Sequence, residues 1–387
     1  MDLGFAPQFG AFRGEVREFI AVHWLQPGAK NESSERLERL FRAAAIEKGY
    51  YARSVPRRYG GSEQAPDIVK AEIIREEVKR AGAPPELRNN GTNMLVPTLL
   101  EWGTEAQCLR FIPGTITGEI LWAQGFSEPG AGSDLASLRT RAELVGSEWV
   151  INGHKIWSTQ AHRCQFMFAL VRTEADAAKH DGITYMLLDL RQPGVTVRPL
   201  KQMTGHSEFC EVFLNDVRTP ADWIVGRHGQ GWHVSRSTLK HERSSLTGLS
   251  WTDSMLRGLI RLACDTPRDG RPAIMQPRIR EELAAIQAAS MALTYSTYRA
   301  TSMVGHDQDP GLFSHMPKIA STNLAQRMAR LASLILDDQL LDMGGVNRKW
   351  IERFLISLSM SIAGGTSNIQ RNIIAERGLD LPREKRI

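Results

Sequence analysis

Cysteine is scarce in this chain of 387 residues. Cys108, Cys164, Cys210 and Cys264 stand too far apart to form a metal-ligand spacing, so no metal site is expected and the thiols are read as reduced and buried. No apolar run approaches the length needed to span a bilayer. The first residues, Met1-Asp-Leu-Gly-Phe-Ala-Pro7, lack a basic region followed by an apolar core. The expectation is therefore no secretory signal and a cytoplasmic location. Internal repeats and low-complexity segments are missing as well. A formal charge of +5 and a pI near 9.1 suggest mild attraction to anions. The basic residues are spread along the chain, with no Lys/Arg patch interleaved with aromatics, so nucleic-acid binding is not expected.

What is present is ordinary for a soluble globular protein: 42% apolar and 24% charged residues, on a chain long enough for two or three domains. Three regimes follow one another. Residues 1–120 read as helical, in Gly14–His23, Glu35–Lys48, Pro66–Lys79 and Met94–Phe111, where apolar residues return at three and four. Pro66 suits a first helical turn, Pro84-Pro85 and Asn89-Asn90-Gly91 break the middle, and Pro113-Gly114 closes the block. Residues 121–229 change to short strands, Trp149–Ile151, Phe166–Val171, Ile183–Leu190, Val195–Pro199 and Val212–Leu214. They are punctuated by Gly194, Gly205, Pro220 and Gly226, and predict a mostly antiparallel barrel or sandwich. Residues 230–387 return to helix in Ser235–Cys264, Pro277–Val304, Pro317–Asp342 and Trp350–Ser361, a predicted antiparallel bundle. The polar tail at 383–386 is expected to fray. The fold class is α+β.

Four segments carry candidate chemistry. Trp122-Ala-Gln-Gly-Phe-Ser-Glu-Pro-Gly-Ala-Gly-Ser-Asp134 packs glycines, a proline and small polar residues into one loop. Backbone N–H groups in such a loop can turn inward and hold an anion or an electron-rich ring edge, and Ser127 and Ser133 add hydroxyls. Asn152-Gly-His-Lys-Ile-Trp-Ser-Thr159 follows a strand-like run. Its Asn152-Gly153 is a hairpin signal, and Trp157 offers a flat ring beside Ser158 and Thr159. His241-Glu242-Arg243 lies in a helical stretch. The last is Ala363-Gly-Gly-Thr-Ser-Asn-Ile-Gln-Arg-Asn-Ile-Ile-Ala-Glu-Arg377, closed by Leu379-Asp-Leu-Pro-Arg383. Taken singly, each also reads as a surface turn, a core tryptophan or a solvated Glu-Arg pair.

The order and wording of these segments resemble the acyl-CoA dehydrogenase family of flavoproteins, over nearly the whole chain from about Phe19 to Arg383. The resemblance implies an all-α N-terminal domain, a central β domain and a C-terminal four-helix bundle. It implies FAD as cofactor and an acyl-CoA substrate, whose phosphates suit a basic protein. In the implied reaction a base removes the proton beside the thioester carbonyl, and the neighbouring carbon passes a hydride to flavin N5. By motif match, Gln124, Phe126, Ser127, Gly132 and Ser133 line the isoalloxazine and ribityl-phosphate region. Trp157, Ser158 and Thr159 cover the other side of the ring, and Gly345, Thr366 and Asn368 keep flavin-contact positions.

The family's usual C-terminal glutamate is replaced here by Gly364, which cannot take a proton. Isovaleryl-CoA dehydrogenases and several bacterial steroid-side-chain enzymes carry the glutamate on a bundle helix, before an arginine. Leu239-Lys-His-Glu-Arg-Ser244 matches that pattern, so Glu242 is assigned as base. Arg243 would orient it or meet the pantetheine. The Gly364 N–H would form the oxyanion hole by analogy. The missing side chain frees volume for branched, cyclic or bulky acyl groups.

Two departures concern assembly. Thr266-Pro-Arg-Asp-Gly-Arg-Pro-Ala273 lacks the Arg-x-x-Phe-Gly motif that reaches a neighbouring flavin, and Leu341 stands where a glutamine usually precedes the second glycine, Gly345. A homotetramer or dimer and a heterotetramer with a second dehydrogenase-like chain both stay open, with an electron-transferring flavoprotein as acceptor. Alternatives to a dehydrogenase are a fold-related flavin monooxygenase or oxidase, a weakly active subunit, and a non-catalytic binding protein.

Overall fold

The computed structural model describes residues 7–24, 34–246, 249–305, 308, 311, 315–342, 344–345 and 347–383. The expected frayed tail at 384–386 lies outside them. The chain forms two compact units, one of residues 1–200 with 208–238 and the other of residues 201–207 with 239–387. Along the sequence the order is helical, then sheet, then helical.

The first unit begins with helices α1 (Pro7–His23), α2 (Ser34–Glu47), α3 (Ile68–Arg80), α4 (Val96–Trp102) and α5 (Glu105–Thr117). Helix α2 buries Phe41, Ala45 and Ile46, one helical face. On α3, the carboxylate of Glu77 is buried and accepts from Arg13, Arg17 and Arg80. Three features differ from the sequence reading. Pro66 precedes α3 rather than opening it, because Asp67 is the N-cap and accepts from the Lys70 N–H. The stretch 94–111 is broken at Gly103, after which Thr104 and Gln107 form a capping box for α5. That helix runs through Pro113 and ends at Gly118, which takes the left-handed conformation.

The sheet contains β1 (Trp122–Gly125), β2 (Arg141–Val145), β3 (Glu148–Thr159), β4 (Phe166–Arg172), β5 (Ile183–Asp189), β6 (Val195–Leu200), β7 (Phe209–Pro220) and β8 (Ile224–Val225). Its order is β6-β7-β3-β2-β4-β5-β8, and β1 pairs with β4 in parallel. Strands β4 and β5 are buried on both faces, which matches their continuous apolar runs. On one side, Phe111 of α5 packs edge-on against Trp122 and Phe166.

Asn152-Gly153 is not the hairpin turn. Strand β3 runs straight through it, and the turn from β2 lies at Gly146-Ser147, where Gly146 has φ +64°. Asn152 instead exchanges hydrogen bonds with Asp216 on β7, and a side chain at 153 would collide with Thr140. The pair marks a register shift, where one strand carries an extra residue.

The second unit contains the C-terminal half of α6 (Gly231–Leu246), then α7 (Leu249–Asp265), α8 (Pro277–Gly305), α9 (Met316–Leu336), α10 (Arg348–Ser359) and α11 (Ser367–Ile373). The long stretch read at 235–264 is thus two helices. Helix α9 packs against α7, α8 and α10. Its Ala329 and Ala332 are buried among Leu259, Ile286, Leu331 and Trp350. Small residues on a central helix let its neighbours approach closely. No helix among the described residues is long and apolar enough to cross a membrane.

Candidate active site

Strand β1 aligns Gln124 with Phe168 and leaves the sheet at Gly125, where a Cβ would lie 2.4 Å from Met167 Sδ. Phe126 then turns inward, edge-on to Phe168 and Tyr185. The Ser127 carbonyl accepts from the Ile156 N–H at 3.0 Å, which lays the loop along β3. Glu128 and Ala131 exchange two backbone hydrogen bonds of 3.0 Å across Pro129-Gly130.

The carboxylate of Glu128 staples this loop. It accepts from the N–H groups of Arg139 (2.7 Å) and Thr140 (2.9 Å) and from Lys155 Nζ (2.7 Å), while Lys155 also donates to the Phe126 carbonyl at 3.2 Å. Burial alone would raise the Glu128 pKa, but the Lys155 charge and these hydrogen bonds outweigh it and hold the group below its ordinary value. Burial pushes Lys155 down to about 8, and Glu128 recovers part of that shift. Neither residue was singled out in the sequence. Their only signals are a glutamate in a glycine-rich loop and a lysine in a strand at an inward position.

Strand β3 carries a second register shift between Lys155 and Ser158. Up to Lys155 the odd-numbered residues 149, 151 and 155 point inward; beyond it Ser158 does. Trp157 takes φ +63° and is left 57% exposed, beside Phe209. Ser158 is fully buried, and its hydroxyl finds no partner among the described residues. Gly132 and Ser133 are exposed, and Thr159 is half-buried. The hydroxyls of Ser127, Ser133 and Thr159 and the N–H groups of Gly132 and Ser133 bond to none of the described residues. An exposed indole on β3 and donors on the loop and strand that bond to none of the described residues suit a flat heteroaromatic cofactor with an anionic chain. These residues fit FAD.

The remaining residues of the expected site belong to the second unit. Glu242 is half-buried on α6. Arg243 is helical in its backbone, and its side chain lies outside the described residues. Gly364 and Gly365 take φ +64° and +88° between α10 and α11. Buried Gln370 donates to the Gly364 carbonyl at 3.4 Å, whereas the Gly364 N–H bonds to none of the described residues. The Thr366 hydroxyl caps α11 by accepting from the Ile369 N–H at 3.2 Å. Asn368 is exposed and accepts from Arg371. Gly345 sits in a turn held by Asp342, where a Cβ would lie 2.2 Å from the carboxylate. Among the described residues, no group of three His, Cys, Asp or Glu could hold a metal ion.

The chain matches, in order, the acyl-CoA dehydrogenase N-terminal domain over residues 7–119, the middle domain over 123–217 and the C-terminal domain over 229–379. It is 38% identical over 386 residues to the acyl-CoA dehydrogenase IpdE1 of Mycobacterium tuberculosis, covering 96% of this chain and 98% of that protein. Among solved structures it is similar to the ChsE4-ChsE5 complex from Mycobacterium tuberculosis, with a TM-score of 0.78, 27% identity, and coverage of 99% of this chain and 100% of that one. The Tcur3481-Tcur3483 steroid acyl-CoA dehydrogenase gives 0.79 and 27%, over 99% and 100%. The chain belongs to the acyl-CoA dehydrogenase family: it is an oxidoreductase acting on CH–CH donors, in a family of flavoproteins.

Proposed function

We propose that this protein converts an acyl-CoA thioester to the 2-enoyl-CoA, with Glu242 taking the proton from the carbon beside the carbonyl. The observation that carries this reading is Gly364. The family's usual base is missing there, while its backbone N–H bonds to none of the described residues and could donate to a thioester oxygen. An oxyanion donor lowers the cost of enolate formation, and a half-buried carboxylate on a helix is a rigidly aimed base. Arg243 orients Glu242 or meets the pantetheine. FAD, held by Gln124, Phe126, Ser127, Gly132, Ser133, Trp157, Ser158 and Thr159 with Gly345, Thr366 and Asn368, supplies the hydride acceptor. The working division is 1–120 for the N-terminal helices, 121–229 for the flavin-binding sheet and 230–387 for the bundle.

The acyl group is bulky or ring-bearing in this reading, because residue 364 has no side chain to limit it. The resemblance to a steroid acyl-CoA dehydrogenase supports that class. The resemblance to a complex of two chains supports a heterotetramer over a homotetramer or dimer. The acceptor is an electron-transferring flavoprotein. Only Cys108 and Cys210 of the four thiols expected to be buried are so, Cys164 being half-buried and Cys264 exposed; all four are free, which suits a reducing, cytoplasmic compartment.

The test is an anaerobic titration of the yellow protein with short, medium, branched and ring-bearing acyl-CoAs, following the visible flavin band, with Glu242→Gln in parallel. Bleaching by ring-bearing thioesters, slowed about 10²–10⁴-fold in the variant, is expected. Absence of bleaching in the FAD-bound protein would overturn dehydrogenation. Rapid oxidation of the reduced flavin by oxygen would point to an oxidase or monooxygenase.

A further inference from the structure

Among the described residues, Lys318 is a buried cation with no carboxylate partner. It lies on α9 at 5% exposure, and among the described residues its ammonium donates only to the Met360 carbonyl, at 2.5 Å. Burial pushes its pKa down. An ammonium taken out of water without a counter-ion costs folding free energy. The fold carries that cost at one specific place, the end of α10.

Met360 is the C-cap of that helix. Two further side chains on the same face of α9 reach the same end. Thr322 donates to the Met360 carbonyl at 3.2 Å and Gln326 to the Ser357 carbonyl at 3.2 Å. The spacing 318, 322, 326 is the four-residue period that lines one helix face. Helix α9 thus closes the carbonyl end of α10 with a polar ladder, and its charged member meets the last carbonyl. Beyond that end the chain turns through residues 361–365, closed by the Ser367 N–H donating to the Ser361 carbonyl at 2.9 Å. Buried Gln370 holds the Gly364 carbonyl from the other side. The turn bearing the open Gly364 N–H is therefore pinned at both ends by buried side chains.

The carbonyl end of a helix carries partial negative charge, which opposes an anion forming nearby. We propose that Lys318 is an electrostatic positioning residue for thioester activation: it neutralises the carbonyl end of α10 and holds the following turn so that the Gly364 N–H stabilises the enolate oxygen. This rests on the oxyanion role proposed for Gly364. Lys318 itself touches neither substrate nor flavin in this scheme.

The experiment uses the FAD-bound full chain and a 3-oxoacyl-CoA. The carbon between its two carbonyls ionises without turnover, so the pKa of the bound ligand reports oxyanion stabilisation directly. Wild type, Lys318→Met, Lys318→Arg and Thr322→Val are titrated for enolate absorbance. The limiting rate of anaerobic flavin reduction by an acyl-CoA is measured in parallel. Lys318→Met is expected to raise the bound ligand's pKa by about one unit and slow the limiting rate about tenfold, with substrate Kd changed by less than about threefold. Lys318→Arg restores both values, and Thr322→Val shifts them the same way by less. A folded, FAD-bound Lys318→Met protein with unmoved pKa and rate overturns the proposal and leaves Lys318 a packing residue. If that variant does not fold, an unmoved pKa in Thr322→Val overturns it. If wild type itself does not ionise the ligand, the oxyanion reading of Gly364 falls first.

Discussion

Lys155 and Glu128 form a buried ion pair at 2.7 Å that ties the glycine-rich loop to strand β3. Lys155 is fully buried, and the same carboxylate accepts two backbone N–H groups across the loop. Removing one partner leaves the other charge in a low-dielectric site. Lys155→Met is therefore expected to destabilise the protein by about 3 kcal/mol, read by urea unfolding. It should also lower FAD content, read from the ratio of visible to ultraviolet absorbance. The double change with Glu128→Gln removes both charges and keeps an oxygen for one of the two N–H groups of Arg139 and Thr140, so it should recover part of the loss. A single variant as stable as wild type would contradict the staple.

Trp157 has a different relation to stability. Its indole is 57% exposed and its φ is +63°, so the protein without cofactor gains little from it. Trp157→Gly should leave the thermal transition of the apoprotein unchanged or slightly raised. FAD affinity should fall about tenfold, the loss of roughly 1.4 kcal/mol of ring contact. Isothermal titration of apoprotein with FAD separates the two effects. Equal losses in both would mean that the ring is a packing element.

The two adjacent glycines between α10 and α11 should respond differently to alanine. Both have left-handed φ, which costs an L-residue about 1–2 kcal/mol. At Gly365 a Cβ would also lie 2.8 Å from Gln370 Nε2 and loosen the clasp on the Gly364 carbonyl. Gly365→Ala should unfold at lower temperature than Gly364→Ala. Gly364→Ala should instead slow flavin reduction selectively for ring-bearing acyl-CoAs. Equal slowing of straight-chain and ring-bearing substrates would argue against the open volume at 364.

Acid should weaken the first unit through Glu77. Hydrogen bonds from Arg17 first, with Arg13 and Arg80, hold this carboxylate at about 2, against 4.5 for an ordinary glutamate. A folded pKa below the unfolded value contributes stability that is complete above about pH 4.5 and is lost as pH falls to about 2. Glu77→Gln should be less stable than wild type at neutral pH, and the gap should close across that window. Circular dichroism of acid unfolding measures it. A gap that stays constant with pH would assign the effect to packing.

Much of this was legible along the chain because the signals are local. Apolar periodicity placed the helical and sheet regimes, and the wording of residues 124–134 and 365–371 pointed to the family. Local signals failed where a distant partner decided. Asn152-Gly153 has turn chemistry, yet Asp216 and Thr140 hold it inside a strand. Pro113 looks like a stop, yet α5 continues through it to Gly118.

By itself, the sequence determined the family, the order of helical and sheet segments and the absence of a carboxylate at 364, because composition, period and side-chain identity need no partner. Tertiary structure alone decided that a one-residue register shift turns Trp157 outward and Ser158 inward. It alone paired Lys155 with Glu128, 27 positions away, and set Lys318 against the end of a helix 42 positions further on. Those outcomes depend on strand register and helix packing, and both are settled by burial across the whole unit.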